Sequence, residues 1–201
     1  MLKVLTVASL ALAALTTPLN FADAQPAKKA PASKAAAAGW TIDARQSRIA
    51  FSTKWAGNAV NGTFRQWSGD IKFDPNNLAG SQAVITIMTG SALTGVKEPD
   101  DNLATSDWFD ARKFPTARYV TQSMRSVGPG RYVAEGILTV KGMNYRVPLP
   151  FTVAISGNVA TMTGQVKLDR MALKLGLESD AGAEWVARET VVNVAVRATR
   201  K

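Results

Sequence analysis

The chain has 201 residues, a formal charge of +9 at pH 7, a pI near 10, and neither cysteine nor histidine. The missing residue types exclude the usual nucleophile–base pairs, the proton shuttle that works near neutral pH, and nearly all zinc, haem and copper ligation. Disulfides are excluded too, although a domain of roughly 160 residues buries enough apolar surface to stand without them.

Residues 1–24 carry the marks of a secretory signal peptide. Lys3 precedes the apolar run Val4–Leu15, and Ala22-Asp23-Ala24 fits the small-x-small cleavage rule. The run is too short for about 30 Å of hydrocarbon, so export with cleavage is expected rather than a membrane-spanning helix. Residues 25–39 (QPAKKAPASKAAAAG) have no apolar period and are expected to be a disordered linker, with one folded domain over 40–201. Lys28, Lys29 and Lys34 lie in that linker and Lys3 cancels Asp23, which leaves +6 on the folded part. A basic domain invites a nucleic-acid reading. Export and the lack of Arg interleaved with aromatics argue against it, and attraction to anionic lipid, to a phosphorylated ligand, or simple solubility remains.

From Trp40 onward the pattern is β. Ile49, Phe51, Thr53 and Trp55 alternate with Arg48, Ala50, Ser52 and Lys54. The next strand changes phase, with Val60, Gly62 and Phe64 on even positions and Trp67, Gly69, Ile71 and Phe73 on odd ones. Keeping both sets on one face requires a bulge near Arg65-Gln66. Asp74-Pro75-Asn76-Asn77 is a turn. Ala83, Ile85 and Ile87 line a third strand. Glu98–Phe109 has the Pro and acidic residues of a helix start, with Leu103 on its packing face. Thr116–Arg125 is a strand of ambiguous phase, with Tyr119 on one side and Val120 and Met124 on the other. After Gly128-Pro129-Gly130 come Tyr132, Ala134, Gly136, Leu138 and Val140. Beyond a turn at Lys141–Asn144, Val147, Leu149, Phe151, Val153 and Ile155 alternate with polar residues and prolines. Pro148 and Pro150 lack N–H groups, so part of this ladder is expected to be unpaired. Ala160, Met162, Gly164, Val166 and Leu168 form another strand, Arg170–Leu177 a short helical turn, and Val192, Val194 and Val196 the last strand. About eight strands joined by tight turns suggest a meander that closes on itself.

Taken in order, these segments resemble the YceI family. Trp40-Thr41-Ile42-Asp43 with Gln46–Phe51 is similar to its opening strand, and Val60-x-Gly62-x-Phe64-x-x-Trp67-x-Gly69-x-Ile71-x-Phe73-Asp74-Pro75 to its second. Asp101-Asn102-Leu103 through Trp108-Phe109-Asp110 and Phe114-Pro115 resembles its helical crossover, and Gly136-x-Leu138-Thr139-Val140-Lys141-Gly142 its mid-chain strand and turn. Leu168-Asp169-Arg170 with Leu175-Gly176-Leu177 is a looser match. The resemblance implies an all-β, eight-stranded, antiparallel, up-and-down (lipocalin-like) barrel in the periplasm, with a short helical crossover, holding a polyisoprenoid or another long-chain lipid. The family's histidine ahead of the opening-strand serine is Gln46 here, so a role resting on imidazole does not carry over.

The candidate apolar cavity set is Phe51, Trp55, Phe64, Trp67, Ile71, Phe73, Ile85, Leu103, Trp108, Phe109, Leu149, Phe151 and Val153. Each alone reads better as core filling. As a set, the bulky aromatics cluster in the first two strands and the crossover. An isoprenoid gains about 0.8 kcal/mol per CH₂ it buries, so an empty apolar channel has a strong driving force to be filled. Arg65, Arg118 and Arg170, of a wider group with Lys54, Arg112 and Lys113, are candidates for head-group contact, since Arg suits bidentate phosphate binding. Strand glycines Gly62, Gly69, Gly136 and Gly164 either leave room for a ligand or let the sheet bend. Asp100, Asp101, Asp107 and Asp110 fit capping of free N–H groups better than acid–base chemistry.

The leading expectation is therefore a carrier with no catalytic residues, metal or cofactor. Its partners are a long-chain lipid, in passing an anionic membrane surface, and a second copy in a homodimer, with no nucleic acid. The alternatives are an envelope interaction module with a plugged barrel and a basic surface, and a hydrolase or isomerase of the bound lipid. No serine stands in a nucleophile-elbow context to support the last.

Overall fold

The computed structural model describes residues 37–201. The expected signal peptide and most of the expected linker lie outside the described residues. The linker's final residues, 37–39, belong to the fold: Ala37 is buried, the Ala38 carbonyl accepts a 3.0 Å hydrogen bond from Phe73 N, and Gly39 opens the first strand.

The elements are β1 (Gly39–Ile42), β2 (Arg48–Trp55), β3 (Asn58–Phe64), β4 (Trp67–Lys72), β5 (Gln82–Met88), β6 (Ala92–Leu93), α1 (Lys97–Leu103), β7 (Thr116–Gly128), β8 (Arg131–Val140), β9 (Met143–Ser156), β10 (Val159–Asp169) and β11 (Glu189–Arg200). All pairings are antiparallel. The ladder β1-β4-β5-β7-β8-β9-β10-β11 returns to β1, which pairs with both β4 and β11, so the sheet is a closed eight-stranded barrel. β2, β3 and β6 prolong β1, β4 and β5 past local breaks and pair among themselves and with β11. The period-two reading and the expected fold class both hold.

The breaks explain the phase changes. At Arg65-Gln66 the chain leaves the ladder altogether rather than bulging by one residue, and the facing strand breaks beside it at 89–91. Arg65 N donates to Ser91 O, Gln66 N to Ser91 Oγ, and Met88 N to Gln66 O, so the paired breaks satisfy each other's backbone. In β7 the register against β8 shifts between Thr121 and Ser123, leaving Gln122 as the extra residue. Tyr119 and Met124 therefore face the same interior, which resolves the ambiguous phase.

β10 pairs with β9 only as far as Gly164–Phe151, then continues along β11 to Asp169. Residues 143–150 of β9 pair with β8 alone, and Pro148 and Pro150 lie in that stretch. The wall between β9 and β10 thus parts toward one end, as the prolines lead one to expect.

α1 is shorter than the helix read over 98–109. Glu98 and Asp100 favour its first turn, and Pro99 is tolerated there. After Leu103, Thr105 Oγ1 donates to Asn102 O, and the amides of Phe109, Asp110 and Ala111 turn back onto residues 103–105. The segment 170–177 likewise forms a series of turns rather than a helix.

Candidate functional site

The inward faces enclose an apolar cavity of about 270 Å³, just under the roughly 300 Å³ at which ligand pockets for drug-sized molecules begin. The two ends of the barrel are built differently. At one end Trp40, 2% exposed, donates from Nε1 to Phe73 O at 2.9 Å, and Arg200 lies 5.2 Å over its ring. The rings of Phe73, Tyr132 and Phe151 pack against each other at centroid distances of 5.2, 6.0 and 5.4 Å. These aromatics form a floor.

The other end is covered by two excursions, the crossover 94–115 and the segment 170–188. Leu173 and Leu175 are buried with Ala117 and Val140, and Trp108, Phe109, Tyr145 and Leu168 pack on them beside the place where the wall parts. Three polar knots hold the cover down. Lys141, in the tight β8–β9 turn, donates from Nζ to Ser106 O, Asp107 O and Lys174 O at 2.9–3.1 Å. The Asp107 carboxylate accepts from Glu178 N, Ser179 N and the Ser179 hydroxyl, which ties the crossover to the second excursion. Burial pushes the Asp107 carboxyl up, but these donors and Lys141 outweigh it and hold it below the usual carboxylate range.

The third knot is Arg170. Its side chain is 2% exposed, and Nη2 lies 2.6 Å from Asp180 Oδ2, whose side chain is 5% exposed. Nη1 also donates to Leu175 O and Gly176 O, Nε to Val186 O, and Nη2 to Asp180 O and Val186 O. Asp180 in turn accepts from the amides of Glu184, Trp185 and Val186. Burial opposes its ionisation, but those amides and Arg170 keep its pKa low. The guanidinium also lies 5.5 Å from the Trp108 ring. Every donor direction of this arginine is turned to the protein.

Of the expected cavity residues, Phe51, Phe64, Trp67, Ile71, Phe73 and Ile85 line the space from β2 to β5. Leu103, Trp108 and Phe109 reach it from the crossover, and Leu149, Phe151 and Val153 from β9. Trp55 does not line it. It holds the inward phase of β2 but stands at the strand's last position, half-buried and bridged through its backbone to Val186 at the rim. The head-group candidates need a larger correction. Arg65 sits in the strand break and Arg118 on the outer phase of β7, both exposed and neither lining the cavity, because alternation sends Arg118 opposite to Ala117 and Tyr119. Arg170 borders the cavity but is spent on Asp180 and four carbonyls, so it is a structural clamp.

Further lining residues come from β8, β10 and β11, among them Ala134, Leu138, Met162, Val166 and Val194. Their strand phase was available in the sequence, but small and aliphatic residues do not distinguish cavity from core. Thr53, Tyr119, Thr121 and Thr190 are polar residues in the same lining. Thr121 Oγ1 exchanges hydrogen bonds with Ala83. The Tyr119 hydroxyl donates toward Ala134 O at 2.9 Å and Val147 O at 3.0 Å, and burial pushes its pKa further above the ordinary value. The strand glycines do not leave empty space. A Cβ on Gly62 would lie 2.2 Å from the Phe51 ring, and one on Gly136 2.3 Å from Tyr119, so each glycine receives a neighbouring strand's large side chain. Asp100 accepts from Thr94 N, Gly95 N and the Thr94 hydroxyl, so it orders the loop ahead of α1 rather than capping the helix, whose N-cap residue Val96 makes no side-chain cap hydrogen bond.

A family model described as the YceI-like domain matches residues 40–198. Among curated proteins, a UPF0312 protein of Vibrio vulnificus is 32% identical over 121 residues, covering 59% of this chain and 62% of its own length. One from Pseudomonas syringae pv. tomato is 28% identical over 124 residues, covering 60% and 65%. The matched region therefore spans less than two thirds of those relatives. Among solved structures, Burkholderia cenocepacia BcnA is 31% identical, with a TM-score of 0.76 over 79% of this chain and all of that one. A domain of Saccharophagus degradans described as polyisoprenoid-binding and implicated in plant cell wall breakdown shares the fold at 13% identity, with a TM-score of 0.64 over 82% of this chain and 99% of its own.

Proposed function

Because the chain belongs to the YceI family, we propose that it is a periplasmic carrier that holds a long apolar chain, in the first place a polyisoprenoid, inside its barrel. The observation that carries this reading is the cavity itself: about 270 Å³ of space walled by carbon, floored by packed aromatics and covered by two knotted excursions. Such a space gains about 0.8 kcal/mol for each CH₂ that leaves water to enter it. Cavities of this kind stay dry and take up apolar guests. The Saccharophagus domain supplies the ligand class, and this chain's lining suits it because a slender hydrocarbon asks for no directional partner. The parted wall between β9 and β10, filled by the side chains of the 170–177 segment, is the natural place for a tail to slip in.

A plugged barrel acting through its surface is the weaker reading, since the interior retains space. Export and cleavage of residues 1–24 are part of the proposal, tested by N-terminal sequencing of the protein recovered from the envelope fraction. The ligand is tested by mass spectrometry of an organic extract of the purified chain. A stoichiometric long-chain lipid is expected. Recovery of none, even after incubation with isoprenoids, refutes the carrier reading.

A further inference from the structure

We infer that the ligand's polar group is uncharged, so that the cavity accepts an isoprenoid alcohol, ketone or quinone and rejects the corresponding phosphate or pyrophosphate. The inference rests on the carrier reading and adds a selectivity to it. Among the described residues that line the cavity, Arg170 alone carries a formal charge. That charge is cancelled at 2.6 Å by Asp180, and its remaining donors are held by the carbonyls of Leu175, Gly176, Asp180 and Val186. A phosphate entering here would have to break the clamp or sit beside a neutral pair, stripped of water in a wall of carbon. Neither compensates the desolvation of an ion.

What the covered end does offer is neutral hydroxyls. Thr190 lines the cavity, and no described residue bonds its side chain. Thr53 donates to Glu189 O and keeps a lone pair free to accept. An uncharged oxygen placed against these hydroxyls gains a hydrogen bond without the desolvation cost of an ion. The opposite end holds aromatic rings, with the Trp40 N–H already given to Phe73. The tail therefore points to the aromatic floor and the oxygen-bearing end to the cover.

The test uses the purified full chain, with quenching of intrinsic tryptophan fluorescence as the signal, since Trp67 and Trp108 line the cavity. Three probes are compared: farnesol, farnesyl pyrophosphate and the hydrocarbon farnesene. Farnesol is expected to bind at least about tenfold more tightly than the pyrophosphate. Thr190→Val, close in shape, is expected to weaken farnesol by about threefold or more while leaving farnesene unchanged. Pyrophosphate binding as tight as or tighter than farnesol overturns the selectivity and leaves the carrier reading standing. Failure of all three probes to bind overturns the carrier reading and the selectivity with it.

Discussion

Replacing Arg170 with methionine keeps most of the side chain's length and removes only its guanidinium. The loss strands the carbonyls of Leu175, Gly176 and Val186, all bonded to it at 2.7–3.2 Å, and leaves Asp180 with backbone amides but no counter-charge. Breaking a buried pair from one side costs about 3–5 kcal/mol, a large share of the roughly 5–15 kcal/mol that holds a domain together. With a urea dependence of about 2 kcal/mol per molar, the unfolding midpoint should fall by about 2 M. Before global unfolding, hydrogen exchange at the amides of Glu184, Trp185 and Val186 should accelerate, because all three donate to Asp180. Arg170→Lys should recover little, since one ammonium cannot replace a planar fork serving four carbonyls and a carboxylate. A loss below about 1 kcal/mol in Arg170→Met, with unchanged exchange at those amides, would refute the claim that this pair holds the cover closed.

Acid should loosen the same end. Asp107, Asp169 and Asp180 all lie below the ordinary carboxylate range when folded. Their contribution is therefore whole above the unfolded pKa of about 4 and is lost as pH falls through the lower folded values. With no histidine in the chain, the urea midpoint should be flat between about pH 5 and 8, and a clear slope there would contradict this assignment. Gly136→Ala should destabilise by about 1–3 kcal/mol, because the new Cβ would lie 2.3 Å from Tyr119 and dislodge a hydroxyl bonded to two carbonyls; thermal melts that match the parent would refute it. Leu149→Trp, on the cavity wall, should cut uptake of any isoprenoid probe severalfold with little loss of Tm, read by the same tryptophan-independent extract analysis. Full uptake would mean that the ligand does not occupy this space.

The barrel was legible in the sequence because alternation survives wherever a strand buries one face. Ile49-Phe51-Thr53 and Val147-Leu149-Phe151-Val153 declare themselves, and the turns at 141–142 and 157–158 bound the second. Legibility failed where two strands solve a problem jointly. Nothing in Arg65-Gln66 indicates that Ser91, twenty-five residues later, supplies the missing hydrogen bonds, so the break read as a simple bulge. The cavity's aromatic side was readable for the same reason as the strands were. Trp55 was misplaced because alternation gives a side chain's face but not its depth along the barrel. Arg170 was misread for a different reason. A sequence shows a charge, but its partner Asp180 lies in a stretch, Glu178–Glu184, whose spacing follows neither the helical nor the strand period. Only folding reveals that the arginine's hydrogen bonds are already taken.

Because β1 pairs with both β4 and β11, the first and last strands run side by side: Trp40 faces Arg200, and Lys201 N donates to Gly39 O. Both leave the barrel beside the turn at Asn158, on the aromatic floor and away from the excursions. A tag, support or fusion joined after Lys201 thus becomes a handle on the aromatic floor, with the covered end facing outward. Gly39 and Lys201 are near enough to be spliced, so a chain begun at the first strand, with new ends opened in an exposed turn such as Ser156–Asn158, should give a permuted fold with the same interior.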